Sequence, residues 1–164
     1  MCIRDSAAAA HFLSSGSSAL DLACGCGTGA RFLAQYAGRV LGIDPGRAAI
    51  DAARRVQHPQ VSYICGRHLP ELAGLEESFD TMVVDDSVFA GTSFTHQQET
   101  AACIAQRLRL RGVVIVENGG GADLSSHLRR RAFHTLYDGS ALVRIGAPAP
   151  LGGRLQILEK RYGG

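Results

Sequence analysis

The sequence predicts an α/β protein built on a doubly wound, mostly parallel seven-stranded sheet, with helices on both faces and an antiparallel β-hairpin at the C-terminal end. Three observations carry this expectation. Apolar strand segments alternate with helical patterns five times along the chain, the order that a parallel sheet with crossover helices produces. The first of these strands is continuously apolar except for one acid, and it runs into a turn with glycines at 25, 27 and 29. The last two strand-like segments flank a Pro/Gly-rich turn, the pattern of a hairpin. A chain of 164 residues with 46% hydrophobic composition buries one core, so a single domain is expected.

The elements follow in order. Met1 to Ser6 (Met-Cys-Ile-Arg-Asp-Ser) is what a common sequencing-transposon adapter encodes when read in frame. Residues 1–6 are therefore expected to be an adapter-derived artefact, and 7–164 one domain truncated at its N-terminus. Ala7 to Leu13 reads as a helix stub, and Ser14 to Ser18 as a turn. Ala19 to Cys24 is a strand without polar alternation, suited to burial on both faces. Thr28 to Tyr36 has Phe32, Leu33 and Tyr36 at helical spacing, and Gly38 ends it. Arg39 to Ile43 is the second strand, closed by Asp44 and Pro45, and Arg47 to Val56 is helical up to His58-Pro59. Val61 to Cys65 is the third strand, Gly66 to Ser78 a loop or irregular helix, and Phe79 to Val84 the fourth strand. Thr95 to Leu110 is a long helix, Gly112 a turn, and Val113 to Val116 the fifth strand. Asp123 is placed to cap a helix reaching about Leu136. Ala141 to Ile145 and Arg154 to Lys160 complete the hairpin.

Composition narrows the function classes. A net charge of +2 with 20% charged residues makes no field that implies nucleic acid or a membrane surface. Lys160 is the only lysine among many arginines, which reads as a GC-rich coding bias. No run reaches the ~18 apolar residues of a membrane span, and no apolar signal core is present. A cytoplasmic protein is expected. Five cysteines in such a chain fit reduced thiols. Cys24-Gly25-Cys26 lacks further ligands at zinc spacing, so no metal is expected.

In a doubly wound sheet ligands sit beyond the carboxyl ends of the strands, at the switch point. Asp21, the glycine turn, Asp44, Gly66, Asp85, Asp86, Glu117 and Asn118 all lie in, end or follow strands at that edge. Gly25-x-Gly27-x-x-Ala30 also satisfies the relaxed dinucleotide fingerprint, so a nicotinamide-dependent oxidoreductase is one reading. Asp21 weighs against it. A carboxylate in an apolar strand costs desolvation energy unless something cationic or hydrogen-bonding meets it; a pyrophosphate explains such an acid poorly and an ammonium group well.

Here the chain resembles the class I S-adenosylmethionine-dependent methyltransferases, over nearly its full length. Leu20-Asp-Leu-Ala-Cys-Gly-Cys-Gly-Thr-Gly29 is similar to the family's first motif, and Val40-Leu-Gly-Ile-Asp-Pro45 with Ala52-Ala-Arg54 to its second. Phe79-Asp-Thr-Met-Val-Val84 and Leu108-Arg-Leu-Arg-Gly-Val-Val-Ile-Val116 resemble its fourth-strand and fifth-strand segments. The resemblance implies a Rossmann-like fold and S-adenosylmethionine as cofactor. It also implies that the backbone of Ala23, Gly25, Cys26, Gly27 and Gly29 packs against the methionine part, with Asp21 holding the ammonium and Asp44, beside Pro45, the ribose hydroxyls. After the third strand the family usually places an acid for the adenine amino group, whereas this chain reads Cys65-Gly66-Arg67-His68-Leu69. Adenine recognition would then fall to backbone around Gly66, Arg67 and His68, to Asp85 or Asp86, or to apolar packing from Leu69 and Val88.

Methyl transfer from a sulfonium asks the protein mainly to align nucleophile and methyl group. A base is needed only where the acceptor must lose a proton. Asp86 is the first candidate for that role, with His96, Glu117 and His127 behind it. Asp85-Asp86-Ser87-Val88 stands where an Asn/Asp-Pro-Pro-aromatic segment would mark exocyclic-amine methylation of nucleic acids. Arg107 to Arg111 and Arg129 to Arg131 lack interleaved aromatics, so they read as solvated faces and not as a nucleic-acid surface. The expected activity is methyl transfer to an O or N atom of a small molecule. A methyltransferase-like binding domain without catalysis is the non-enzyme alternative.

Overall fold

Five apolar segments form the parallel part of one sheet: β1 (Ser18–Leu22), β2 (Arg39–Asp44), β3 (Val61–Cys65), β4 (Phe79–Asp85) and β5 (Leu108–Asn118). Beyond β5 lie β7 (Arg154–Lys160) and β6 (Phe133–Ser140), both pairings antiparallel, giving the order β3-β2-β1-β4-β5-β7-β6. Among the described residues six helices accompany them: α1 (Ile3–Ala10), α2 (Thr28–Leu33), α3 (Arg47–Arg55), α4 (His68–Gly74), α5 (Phe94–Arg107) and α6 (Leu124–Arg129). This computed structural model describes residues 3–85, 89, 91–118, 124–131, 133–140 and 154–161. Among them no helix is long and apolar enough to cross a membrane.

The period-2 geometry of a strand sorts the apolar residues onto two faces. Leu20, Leu22, Leu41, Ile43, Met82, Val84, Val114 and Val116 meet Leu72 of α4, Ala101 and Ile104 of α5, and Leu124 and Leu128 of α6. Ala19, Val40, Val83, Val113 and Ile115 meet Ala9 of α1 and Ala30, Leu33 and Ala34 of or beside α2. β1 is buried at all five positions, which explains why it carries no outward polar residue. Full burial of a Leu, Ile or Val side chain contributes roughly 1.5–3 kcal/mol. The strand order reverses between β1 and its two neighbours β2 and β4, so the crevice of the switch point opens above β1.

Several boundaries differ from the sequence reading. The first helix runs from Ile3 to Ala10 and not from Ala7 to Leu13. β1 stops at Leu22 because Ala23 turns to φ 73°, which ends the extended run two residues before Cys24 does. The Gly66 to Ser78 segment contains a defined helix, α4. Gly112 is not a turn: β5 begins at Leu108, with Arg111 at φ 64° and a register shift opposite Phe79 and Thr81. The strand thus absorbs a bulge where the glycine suggested a break, and Arg109 and Arg111 lie on a strand and not on a helix. α6 ends at Arg129, and Phe133 to Ser140 is strand β6 where the helix had been expected to continue to Leu136. β6 pairs with β7, and the strand expected at Ala141 to Ile145 lies outside the described residues.

Candidate functional site

The register sets Asp21 of β1 between Gly42 of β2 and Val83 of β4, and Gly42 in turn beside Tyr63 of β3. Neighbours across a sheet share a face, and Val83 belongs to the face that α2 covers. Asp21 therefore points into an apolar layer beneath the start of α2. It is fully buried, and neither carboxyl oxygen has a hydrogen-bond partner. Burial pushes its pKa up to about 8 and the nearby Asp44 carboxylate adds to the rise, against the Ala30 backbone amide, which approaches the carboxyl without closing a hydrogen bond. A cation beside it would relieve that cost.

The turn above Asp21 is built from left-handed residues. The amides of Ala23 and Cys24 both donate to the carbonyl of Ile43, at 2.8 and 3.2 Å, which ties the end of β1 to β2. Gly25 (φ 53°) and Gly27 (φ 78°) then reverse the chain into α2, a conformation that costs an L side chain roughly 1–2 kcal/mol. Asp44, at the end of β2, spans from β2 to this turn. Its Oδ2 accepts from the Gly25 amide at 2.9 Å and its Oδ1 from the Gly46 amide at 2.7 Å. Each oxygen retains a further lone pair. Cys26 lies exposed at the tip of the turn, and its contact with the Thr28 hydroxyl holds the thiol below the usual range. Gly29 is buried in the first turn of α2, and Pro45 is exposed just past Asp44.

The next rim segment is fastened to this one, since the Gly66 amide donates to the Asp44 carbonyl at 3.1 Å. A Cβ at Gly66 would run into the Glu71 carboxylate. Arg67 is exposed at the N-cap of α4, whereas His68 is buried with its Nε2 unpartnered and its ring edge-on to Phe89, centroids 5.7 Å apart. Burial lowers the His68 pKa, against the Asp44 charge and with His96, so the ring is neutral. Asp85 ends β4 directly opposite Glu117 of β5. His127 is buried against Phe94, centroids 4.9 Å apart.

Asp21, Asp44, His68 and His96 thus act on one another electrostatically at one rim. Asp85 and Glu117 sit at the adjoining strand ends, while His127 packs on the first turn of α5. Asp86 and Val88 lie outside the described residues. Two residues at this site escaped the sequence reading. Tyr63 reaches across Gly42 to the glycine turn, and Arg31 reaches back to it from α2. An isolated glycine in an apolar strand signals the close approach of another group, and Gly42 was that signal.

A family model described as a methyltransferase domain matches residues 19–112, more than half of the chain, and the chain belongs to that family. Its class is the S-adenosylmethionine-dependent class I methyltransferases, and its cofactor S-adenosylmethionine. Among solved structures, the TehB-like SAM-dependent methyltransferase from Corynebacterium glutamicum has a TM-score of 0.78 at 18% identity, over 96% of this chain and 88% of that one. The N-methyltransferase NodS from Bradyrhizobium japonicum has a TM-score of 0.74 at 19% identity, over 89% and 86%. An rRNA methylase from Streptococcus thermophilus has a TM-score of 0.71 at 19% identity, over 96% and 94%. At these identities the likeness is one of fold. No curated protein matches the chain.

The residues present fit the cofactor. Asp21 is a buried carboxyl with no partner, as a site for an ammonium group requires. Asp44 is a carboxylate fixed by two amides with acceptor capacity left over, as a diol requires.

Proposed function

We propose that this methyltransferase acts on an O or N atom of a small-molecule acceptor, with Asp21 and Asp44 as the two anchors of its cofactor. The buried, partnerless carboxyl of Asp21 beneath the glycine turn carries this reading. Bound S-adenosylmethionine supplies a methyl group already activated by the sulfonium charge. Asp21 gives the ammonium group a counter-charge in a layer that water does not reach. The backbone of Ala23, Gly25, Cys26, Gly27 and Gly29 lets the amino-acid part lie close to bare chain. Asp44, aimed by Gly25 and Gly46, accepts from the ribose hydroxyls, and Pro45 closes that corner. Gly66, Arg67, His68 and Asp85 border the adenine end.

Asp86, which follows directly on Asp85 in the sequence, is proposed to take the acceptor's proton. The arginine distribution supports a small acceptor. Arg107 donates to the carbonyls of Leu72 and Ala73, Arg109 pairs with Asp80, and Arg111 and Arg161 flank Glu159. Arg109 and Arg111 sit at the start of β5, the end of the sheet opposite the rim.

Calorimetry tests the cofactor anchors: S-adenosylhomocysteine is expected to bind at micromolar strength and NAD(H) not to bind. Asp44→Ala is expected to weaken that binding at least about tenfold, as the loss of charge-assisted bonds worth roughly 1.5–3 kcal/mol each implies. Unchanged affinity would overturn the ribose assignment. Incubation with S-adenosylmethionine and a metabolite extract, followed by mass spectrometry, is expected to yield a methylated small molecule. Methylation of added rRNA in its place would overturn the acceptor class.

A further inference from the structure

Tyr63 stands on β3, two strands away from the glycine turn that follows β1. Its ring nevertheless arrives there, because the position between, Gly42, has no side chain. A Cβ at Gly42 would lie 2.8 Å from the Tyr63 ring and 2.8 Å from Cys24 Sγ, and a Cβ at Gly27 would run into the Tyr63 hydroxyl. Two glycines, one in the turn and one in the middle of β2, thus make room for one phenol. The Tyr63 hydroxyl donates to the Gly27 carbonyl at 3.4 Å. Arg31 Nη1 donates to the Cys26 carbonyl at 3.0 Å and to the Tyr63 hydroxyl at 3.4 Å. The consecutive carbonyls of Cys26 and Gly27 are therefore held from outside the turn by one linked pair of side chains.

We propose that Tyr63 and Arg31 are positioning residues that clamp these two carbonyls and so fix the turn in its cofactor-binding shape. The inference rests on the reading that the turn holds S-adenosylmethionine, and it adds the device that keeps the turn in place. A peptide unit is planar, so holding the carbonyls of Cys26 and Gly27 also fixes the amides of Gly27 and Thr28 on the far side of each peptide. The turn also has backbone bonds of its own, the Gly27 amide on the Cys24 carbonyl at 2.9 Å and the Arg31 amide on the Gly27 carbonyl at 3.0 Å. Without the clamp these alone restrain a segment carrying two glycines, which then samples a wider range of states, and the ligand must meet more of the ordering cost. Neither side chain needs to touch the cofactor for this effect.

The test uses the whole chain, with S-adenosylhomocysteine as the probe. Tyr63→Phe keeps the ring over Gly42 and removes only the hydroxyl, and Arg31→Met keeps the stem and removes the donors. Each is expected to weaken binding about threefold to tenfold with little change in melting temperature, while Arg31→Lys recovers part of the loss. The double variant is expected to lose less than the product of the two single effects, because Arg31 also bonds Tyr63. Hydrogen exchange of the protein alone is expected to show faster exchange at Gly27 and Thr28 in both variants. Binding within twofold of the parent together with unchanged exchange overturns the clamp, as does a loss of affinity that only follows a fall in melting temperature. Should the parent itself not bind S-adenosylhomocysteine, the cofactor reading falls, and the exchange rates alone decide whether the clamp stands.

Discussion

A carboxyl group with no partner inside an apolar layer ties ligand binding to protonation, and Asp21 is such a group. Its pKa is about 8 in the folded chain against 3.8 for a free aspartate. Between these two values the folded protein keeps a proton that the unfolded chain has lost, so stability falls as pH rises through that window and levels off above about 8. Asp21→Asn is expected to flatten this slope in urea unfolding followed across the window, with the variant relatively more stable at its alkaline end. The same proton leaves when an ammonium group docks. Binding of S-adenosylhomocysteine should therefore tighten as pH rises toward about 8, with a calorimetric heat that depends on the buffer's ionisation enthalpy. A buffer-independent heat would show that Asp21 does not exchange its proton on binding. The motif made the acid legible in the sequence. Its isolation was not, because whether a carboxyl finds a partner is decided by side chains from other strands and from α2.

At the scale of the element, the parallel strands were legible because continuous apolar runs between turn residues leave little alternative. β3 matches the expected bounds at both ends. Two of the misread elements, β5 and β6, share a cause, since each depends on a partner remote in sequence. Gly112 carries the mark of a turn, yet β5 continues past it through a bulge, because pairing with β4 resumes at Val113 and β7 joins there on the other side. Phe133 to Ser140 follows α6 and the arginines at 129 to 131, and becomes a strand by pairing with β7. Lys160 shows the same dependence in a single side chain. From the end of β7 it is buried and donates to the carbonyls of Ala105 and Leu108, at 2.7 and 3.0 Å, satisfying the C-terminal end of α5. Lys160→Met is expected to cost about 1–3 kcal/mol in chemical denaturation, since it strands two buried acceptors. A change within about 0.5 kcal/mol, the range of ordinary surface substitutions, would mean that other donors satisfy those carbonyls.

At the scale of the molecule, the strand order gathers residues 21, 44, 68 and 85 on one rim. Their spacing along the chain then reflects only the length of each strand–helix unit. That is why the alternation pattern and two short motifs point to one rim, and why the contact from Tyr63, which reaches over β2 to the turn after β1, was not legible. Because ligand binding pulls the whole fold by mass action, S-adenosylhomocysteine at a hundred times its Kd is expected to add about 2.7 kcal/mol of stability. For a chain of this size that raises the melting temperature by roughly 5–10 °C, readable by differential scanning fluorimetry. An absent shift at that concentration would mean that the ligand binds folded and unfolded chains alike.

The placement of β7 has an outcome for the protein's birth on the ribosome. β6 is synthesised first, yet it reaches the sheet through β7 alone, so it has nowhere to dock until Arg154 to Lys160 has left the exit tunnel. Until then the ladder of Val113 to Val116 faces outward along one side, and a nascent chain must keep that apolar border from its neighbours on the polysome.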